Sequence, residues 1–146
     1  MGTWDTGPFD NDSAADFAGR LDEAAPGERE AIVRSTLIRA LEVAVPDFLD
    51  SHEGDQAVAA AALVAAQCPD GETVNPNYGP KQPLPVFGPG LRPLAVRALD
   101  RVVEEGSELV ELWEGEDAVE WRKGVHRLRC VLTARPGAYE QAPRHA

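Results

Sequence analysis

Asp55-Gln-Ala-Val-Ala-Ala-Ala-Ala-Leu-Val-Ala-Ala-Gln-Cys68 is the stretch that decides how this chain folds. Wound into a helix, it is apolar on every face. Such a helix is stable only when other elements surround it. Half of its residues are Ala, the strongest helix former. A methyl side chain also lets neighbouring helices approach closely. The stretch therefore reads as a central, buried helix over 55–68, the hub of a bundle.

The flanking segments read as the helices that surround it. Ala14, Phe17, Ala18 and Leu21 recur at i, i+3, i+4 and i+7, one helical face. Asp10 reads as the N-cap of that helix and Phe9 as a hydrophobic staple before it. Asn11 and Asp12 then fall in the positive first turn, where acids are favoured. Trp4 and Phe9 bracket Thr6-Gly7-Pro8, so the opening segment is expected to fold onto the body of the protein. Ala25-Pro26-Gly27 is a break. A second helix is expected over 28–45, with Val33, Leu37, Ala40, Leu41 and Ala44 inward, and Pro46 stops it. Phe48 and Leu49 should tuck in after it.

Beyond the hub, a helix is expected over 93–105, with Leu94, Ala95, Ala98, Leu99 and Val102 inward and Gly106 at its end. Ser107 reads as the cap of a short helix whose Leu109, Leu112 and Trp113 point inward and which Gly115 closes. Asp117-x-x-Glu120 reads as a capping box for a last helix striped by Trp121, Val125, Leu128 and Leu132. The fold class is all-α: a compact bundle of five to six helices. Residues 1–135 form one domain, and 136–146 a flexible tail.

One segment is not helical. Residues 69–93 hold seven Pro and four Gly, with no strand alternation. Connections this long are uncommon in compact domains, and ordered ones are usually functional. Tyr78, Leu84, Val86 and Phe87 supply apolar anchors that disordered segments lack, so a long, wrapped, pinned loop is expected.

Composition narrows the function. At 146 residues the chain can bury a core without staples. Its formal net charge is −11. A surface that acidic repels phosphate, which argues against nucleic acids and anionic membranes as partners. No apolar run is long enough to span a bilayer. No charged segment followed by an apolar one opens the chain, so a cytoplasmic location is expected. Met1-Gly2-x-x-x-Thr6 matches a myristoylation pattern, but a folded opener opposes it. In a reducing compartment, Cys68 and Cys130 read as small core residues.

Candidate chemistries are incomplete. Asp5-Thr6-Gly7 is the aspartic-protease tripeptide, but that chemistry needs two such Asp residues sharing a proton. Asp10, Asp12 and Asp16 suggest calcium until the remaining loop positions are read: Ala14, Ala15 and Leu21 carry no side-chain oxygen ligand. His126 and Cys130 lie four apart on a helix, a ligand spacing, yet two ligands make no site. No metal or other cofactor is expected. Trp113 and Trp121 at helical spacing read as core. The run Glu104-Glu105, Glu108, Glu111, Glu114, Glu116, Asp117, Glu120 is a solvated acidic face or a docking surface for a basic protein. Glu108, Glu111 and Glu114 are its candidate contacts. Tyr78 and Phe87 on the long loop are a second candidate surface.

The opener Trp4-Asp-Thr-Gly7-Pro-Phe9-Asp10-Asn11-Asp12-Ser-Ala14 resembles a bacterial family catalogued as domain of unknown function 4259. Its members begin Trp-Gly-x-Gly-x-Phe-x-Asn-Asp-x-Ala. Ser107-Glu108-Leu109-Val-Glu-Leu112-Trp113, with Trp121 after it, is similar to a second signature of that family. The resemblance spans most of residues 2–133. Asp5 stands where the family has Gly, which weakens a catalytic reading of Asp5-Thr6-Gly7. The resemblance implies a fold unit and no reaction. Three functions remain open: a cytosolic non-enzymatic interaction protein, an immunity-type protein that binds a basic toxin or nuclease, and a hydrolase-like enzyme using Asp5, Asp10 or His126.

Overall fold

The computed structural model describes residues 7–43, 48–69, 71, 74, 79–104 and 106–134. Along the chain, α1 spans Asp12–Glu23, α2 Arg29–Glu42, α3 Ser51–Ala66, α4 Leu91–Val103, α5 Glu108–Leu112 and α6 Gly115–Thr133, with a 3₁₀ turn at Pro26–Glu28. The fold is an all-α bundle with a long Pro/Gly-rich loop between α3 and α4. α3 packs against all five of the other helices. Every residue from Gln56 to Ala65 is buried. The alanines make this possible, because a larger side chain on each face would hold those neighbours apart.

The other helices turn in the faces their periodicity marks. Phe17 and Leu21 on α1, Val33 and Leu37 on α2, and Leu99 and Val102 on α4 are fully buried. Trp121, Val125 and Leu132 are buried on α6, with Leu128 packed against the same core. None of the helices among the described residues is long and apolar enough to cross a membrane.

Several boundaries and caps differ from the sequence reading, each for a local reason. Asn11, not Asp10, caps α1: its side chain accepts from the Ala14 N–H at 2.8 Å. Asp10 instead closes the preceding turn, its Oδ2 accepting from the Gly7 N–H at 3.0 Å. α3 begins one turn before Asp55, at a helix capped by Asp50, whose Oδ1 accepts from the Glu53 N–H at 2.8 Å. α4 begins at Leu91, with Pro93 inside its first turn, where a missing N–H costs nothing. Ser107 holds the N-cap position of α5, but its hydroxyl makes no cap bond. The Asp117–Glu120 capping box does not form, because α6 starts at Gly115 and places Asp117 in its first turn. Leu49 tucks in, but Phe48 is exposed, as are Leu112 and Val86. Cys68 is half-buried and packs against the core, whereas Cys130 is exposed and is not a core residue. Trp4, Asp5, Ala44, Pro46, Tyr78 and the 136–146 tail lie outside the described residues.

The long loop is pinned mainly by polar bonds from the helices beneath it. Asp22 Oδ1 accepts from the backbone N–H groups of Lys81 and Gln82, both at 2.9 Å. Glu30 Oε2 accepts from the Gly88 N–H at 3.0 Å. Gln67 donates to the Pro85 carbonyl at 2.8 Å and accepts from the Phe87 N–H at 2.9 Å. Leu84 and Phe87 pack against the core, as expected.

Three arginines close helix C-termini in the same way. Buried Arg29 donates to the carbonyls of Leu21 (3.0 Å) and Ala24 (3.1 Å) at the end of α1, and to Pro83 of the loop (2.9 Å). Arg101 donates to the Val43 carbonyl at the end of α2 at 2.6 Å. Arg92 donates to the carbonyls of Leu132 (3.0 Å) and Ala134 (2.6 Å) at the end of α6. Each satisfies carbonyls that a helix end leaves without partners, and each sets positive charge against the negative pole of the helix dipole.

Candidate functional site

The first turns of α3 rise out of the dry core into an acidic cleft. A parallel bridge brings two distant segments together there. The Leu49 N–H donates to the Gly106 carbonyl and the Glu108 N–H to the Leu49 carbonyl, both at 2.8 Å. This puts the start of α5 beside the start of α3. Glu108 Oε1 then accepts from the Ser51 N–H at 2.7 Å, satisfying an unpartnered donor of the α3 N-terminus. On the other side, α1 is tied to α3 through Gln56, which donates to the Ser13 carbonyl at 3.0 Å and accepts from Arg20 at 3.0 Å. Ser13 Oγ lies 3.0 Å from His52 Nδ1 on the same seam.

Two adjoining hollows open between these elements, of about 270 Å³ and about 610 Å³. They share Asn11, Asp55 and Trp113. The first is floored by Val58, Ala62 and Ala65 of α3 and walled by Trp121, Val125 and Leu128 of α6. The second is rimmed by Asp12, Glu108, Glu114 and Asp117. Trp113 and Trp121 stack at the junction, with ring centroids 6.2 Å apart and planes at 18°. Trp121 is buried and Trp113 half-buried.

Asp55 is the residue at the centre. Burial, reinforced by the neighbouring Glu108 carboxylate, pushes its carboxyl up to about 7. Both influences oppose ionisation of the carboxyl. Near neutral pH this carboxyl changes charge readily. An arriving cation would stabilise the charged form and draw the proton off.

The candidate residues of the sequence divide between separate places. Gly7, Asn11 and Asp12 line the cleft together with Trp113 and Trp121, so the opener and the second signature meet in one cleft. Phe9 is buried in the core cluster. Glu114 rims the cleft, Glu111 is exposed, and Glu108 is half-buried and engaged with Ser51. Phe87 is bonded to Gln67 at the opposite end of α3, about 18 Å away along the helix axis at 1.5 Å per residue. His126 and Cys130 lie on the outer side of α6, with Sγ 3.4 Å from Nε2. Among the described residues, no group of three or more His, Cys, Asp or Glu is placed to hold a metal.

Sequence reading missed Asp55. It took that residue for the start of the hub helix, whereas the helix begins at Ser51 and places Asp55 in its second turn. The signal was there: an acid directly abutting a stretch that must be surrounded on all sides.

The chain belongs to the family described as Domain of unknown function (DUF4259), whose model matches residues 2–124. That span contains the opener, α3, α5 and Trp121, and so all the cleft residues from Gly7 to Gly124. No curated protein and no solved structure matches the chain.

Proposed function

We propose that the chain is a non-enzymatic interaction module and that the Asp55 cleft receives a basic side chain from a protein partner. One observation carries this reading: two stacked indoles stand beside a half-buried carboxyl in a hollow rimmed by acids. An Arg or Lys side chain matches each part. Its aliphatic stem covers apolar wall, its cation lies over a Trp face, and its charge meets carboxylates. A cation on an indole contributes about 0.5–1 kcal/mol when exposed and about 2 when desolvated. The exposed acids at the rim attract a basic partner over long range and speed its encounter. A cytoplasmic setting belongs to the same proposal.

The acidic rim also favours a narrower reading. In an immunity-type protein, Asp12, Glu114 and Asp117 would mask the basic active surface of a toxin or nuclease. Loss of the partner's activity on binding separates that reading from simple recruitment.

The test is titration with an arginine-rich peptide, followed by tryptophan emission. A saturable change is expected, weakening steeply as salt screens the rim. Glu114→Lys with Asp117→Lys should abolish it while the melting temperature holds. Affinity should rise as pH rises through about 7, because the cation favours ionised Asp55. A response indifferent to salt, to the charge reversals and to pH would overturn the reading.

A further inference from the structure

The smaller hollow is a slot between two helix faces. One side runs along α3 from Asp55 through Val58 and Ala62 to Ala65, and the other along α6 through Trp121, Val125 and Leu128. Three- and four-residue intervals put each set on one face. Val58 and Ala62 each keep 5% exposure, whereas Ala59, Ala60 and Ala61 between them keep none. The slot therefore opens an apolar stripe of the hub to the outside. Its volume is about 270 Å³, and an apolar cavity of about 150 Å³ is enough to admit a benzene ring.

Two features point to an occupant. The first is Asn11, which is 6% exposed and lines both hollows. Its Oδ1 is committed to the Ala14 N–H at 2.8 Å. Its Nδ2 has no acceptor among the described residues, and the Asp55 carboxyl beside it has no donor there. A buried donor is costly to leave unmet. The second is Gly124, which lines the slot from the middle of α6. Glycine weakens a helix interior. Among the described residues, a Cβ at this position would meet nothing nearer than the flexible end of Arg127, at 3.9 Å. Packing does not require the glycine, but an open slot does.

We propose that the slot is a second subsite for the partner, taking a bulky apolar side chain while the Asp55 hollow takes the basic one. Asn11 Nδ2 donates to a main-chain carbonyl between the two. This rests on a basic side chain entering at Asp55. The hollows share Asn11, Asp55 and Trp113, so one segment spans both. Asp55 and Ala62 lie seven residues apart, about 10 Å along the helix axis. An extended chain covers that length in about three residues. The partner is therefore an extended basic segment whose apolar residue stands about three positions from its Arg or Lys. The acidic rim sets the charge of that segment, and the slot sets its sequence.

The experiment titrates the full chain with two end-blocked arginine-rich peptides, followed by tryptophan emission. One carries Phe three residues from a central Arg, and the other carries Ser there. The Phe peptide should bind about tenfold or more tightly. Gly124→Leu fills the slot with a good helix former, so the melting temperature should hold or rise. The preference for Phe should vanish in that variant while the Ser peptide still binds. Asn11→Ser keeps α1 capped and should weaken both peptides about two- to tenfold. Equal, salt-sensitive binding of the two peptides by the parent chain would overturn the slot and leave the Asp55 reading standing. Binding of neither peptide would overturn both. A preference for Phe that survives Gly124→Leu would place the apolar residue elsewhere and overturn the subsite. Full affinity in Asn11→Ser would overturn the role of the amide. A melting temperature several degrees lower in Gly124→Leu would assign the slot to the chain itself, with Trp4 three residues before Gly7 as the side chain to test, and would overturn the proposal.

Discussion

The two ends of α3 sit in opposite surroundings, although one continuous helix forms both. From Ala57 to Ala65 the helix is encased, and its methyl groups meet neighbours on every side. From Ser51 to Asp55 it is half-open, with Asp55 and Glu108 facing a cleft. The encased end derives its stability from dispersion and apolar burial. The open end holds a carboxyl whose ionisation opposes folding. The difference shows how a small domain combines a rigid hub with a reactive edge. The hub fixes the backbone, so the edge can keep a costly charge in place.

The largest expected effect tests the encased side. Phe17 is fully buried on α1, which packs directly on α3. Phe17→Ala should cost about 3–5 kcal/mol by urea unfolding. A loss under about 1 kcal/mol would mean that the core relaxes around the cavity and is less tightly packed than the alanines imply.

The next effect has the opposite sign and tests the open side. Folded Asp55 keeps its proton up to about pH 7, whereas an ordinary Asp loses it near 3.8. Between those values the unfolded chain has released the proton and the folded chain has not. Stability from this group therefore falls as pH rises through that window, and the loss is complete above about pH 7. Asp55→Asn removes the cost. It should stabilise by at most about 4 kcal/mol at about pH 8 and by little below about pH 4. Parallel stability–pH curves for parent and variant would show that water reaches Asp55 freely.

A smaller effect tests the seam between the two ends. A Cβ added at Gly54 would come within 2.9 Å of Leu109 Cδ1, a buried side chain of α5. Gly54→Ala should cost about 1–3 kcal/mol through overpacking, despite its better helix propensity. A gain in stability would mean that α5 moves easily on α3. Least of all, Asn11→Ala should cost about 0.5–2 kcal/mol by removing the α1 cap, while Asp10→Ala tests only the Gly7 turn. Equal melting of the Asn11 variant and parent would reassign the cap.

Much of the helical frame was legible because periodicity is a local property. The stripe Ala14, Phe17, Ala18, Leu21 and the all-round apolar run of α3 each have one solution in which apolar groups leave water. Caps were less legible. Asp10, Asn11 and Asp12 are adjacent residues with similar capping chemistry, and a one-residue shift decides which of them accepts from the first turn. The cleft was half legible. The opener and the Trp113–Trp121 signature stood out separately, but nothing in their spacing says that they meet around Asp55.

Sequence alone determined the all-α class, the hub role of the alanine helix, the long loop and the membership that its two signatures announce. These follow from local periodicity and from the cost of exposing apolar surface. Tertiary structure alone decided which polar groups became partners. Arg29 lies on α2 and Arg92 and Arg101 on α4, two helices far apart in sequence, yet all three close the ends of other helices. Asp22, Glu30 and Gln67 reach a loop many residues away. Glu108 caps α3 from another helix, and its charge adds to the burial that raises Asp55. A hydrogen bond forms wherever packing leaves a buried donor facing an acceptor. That placement exists only after the helices have docked.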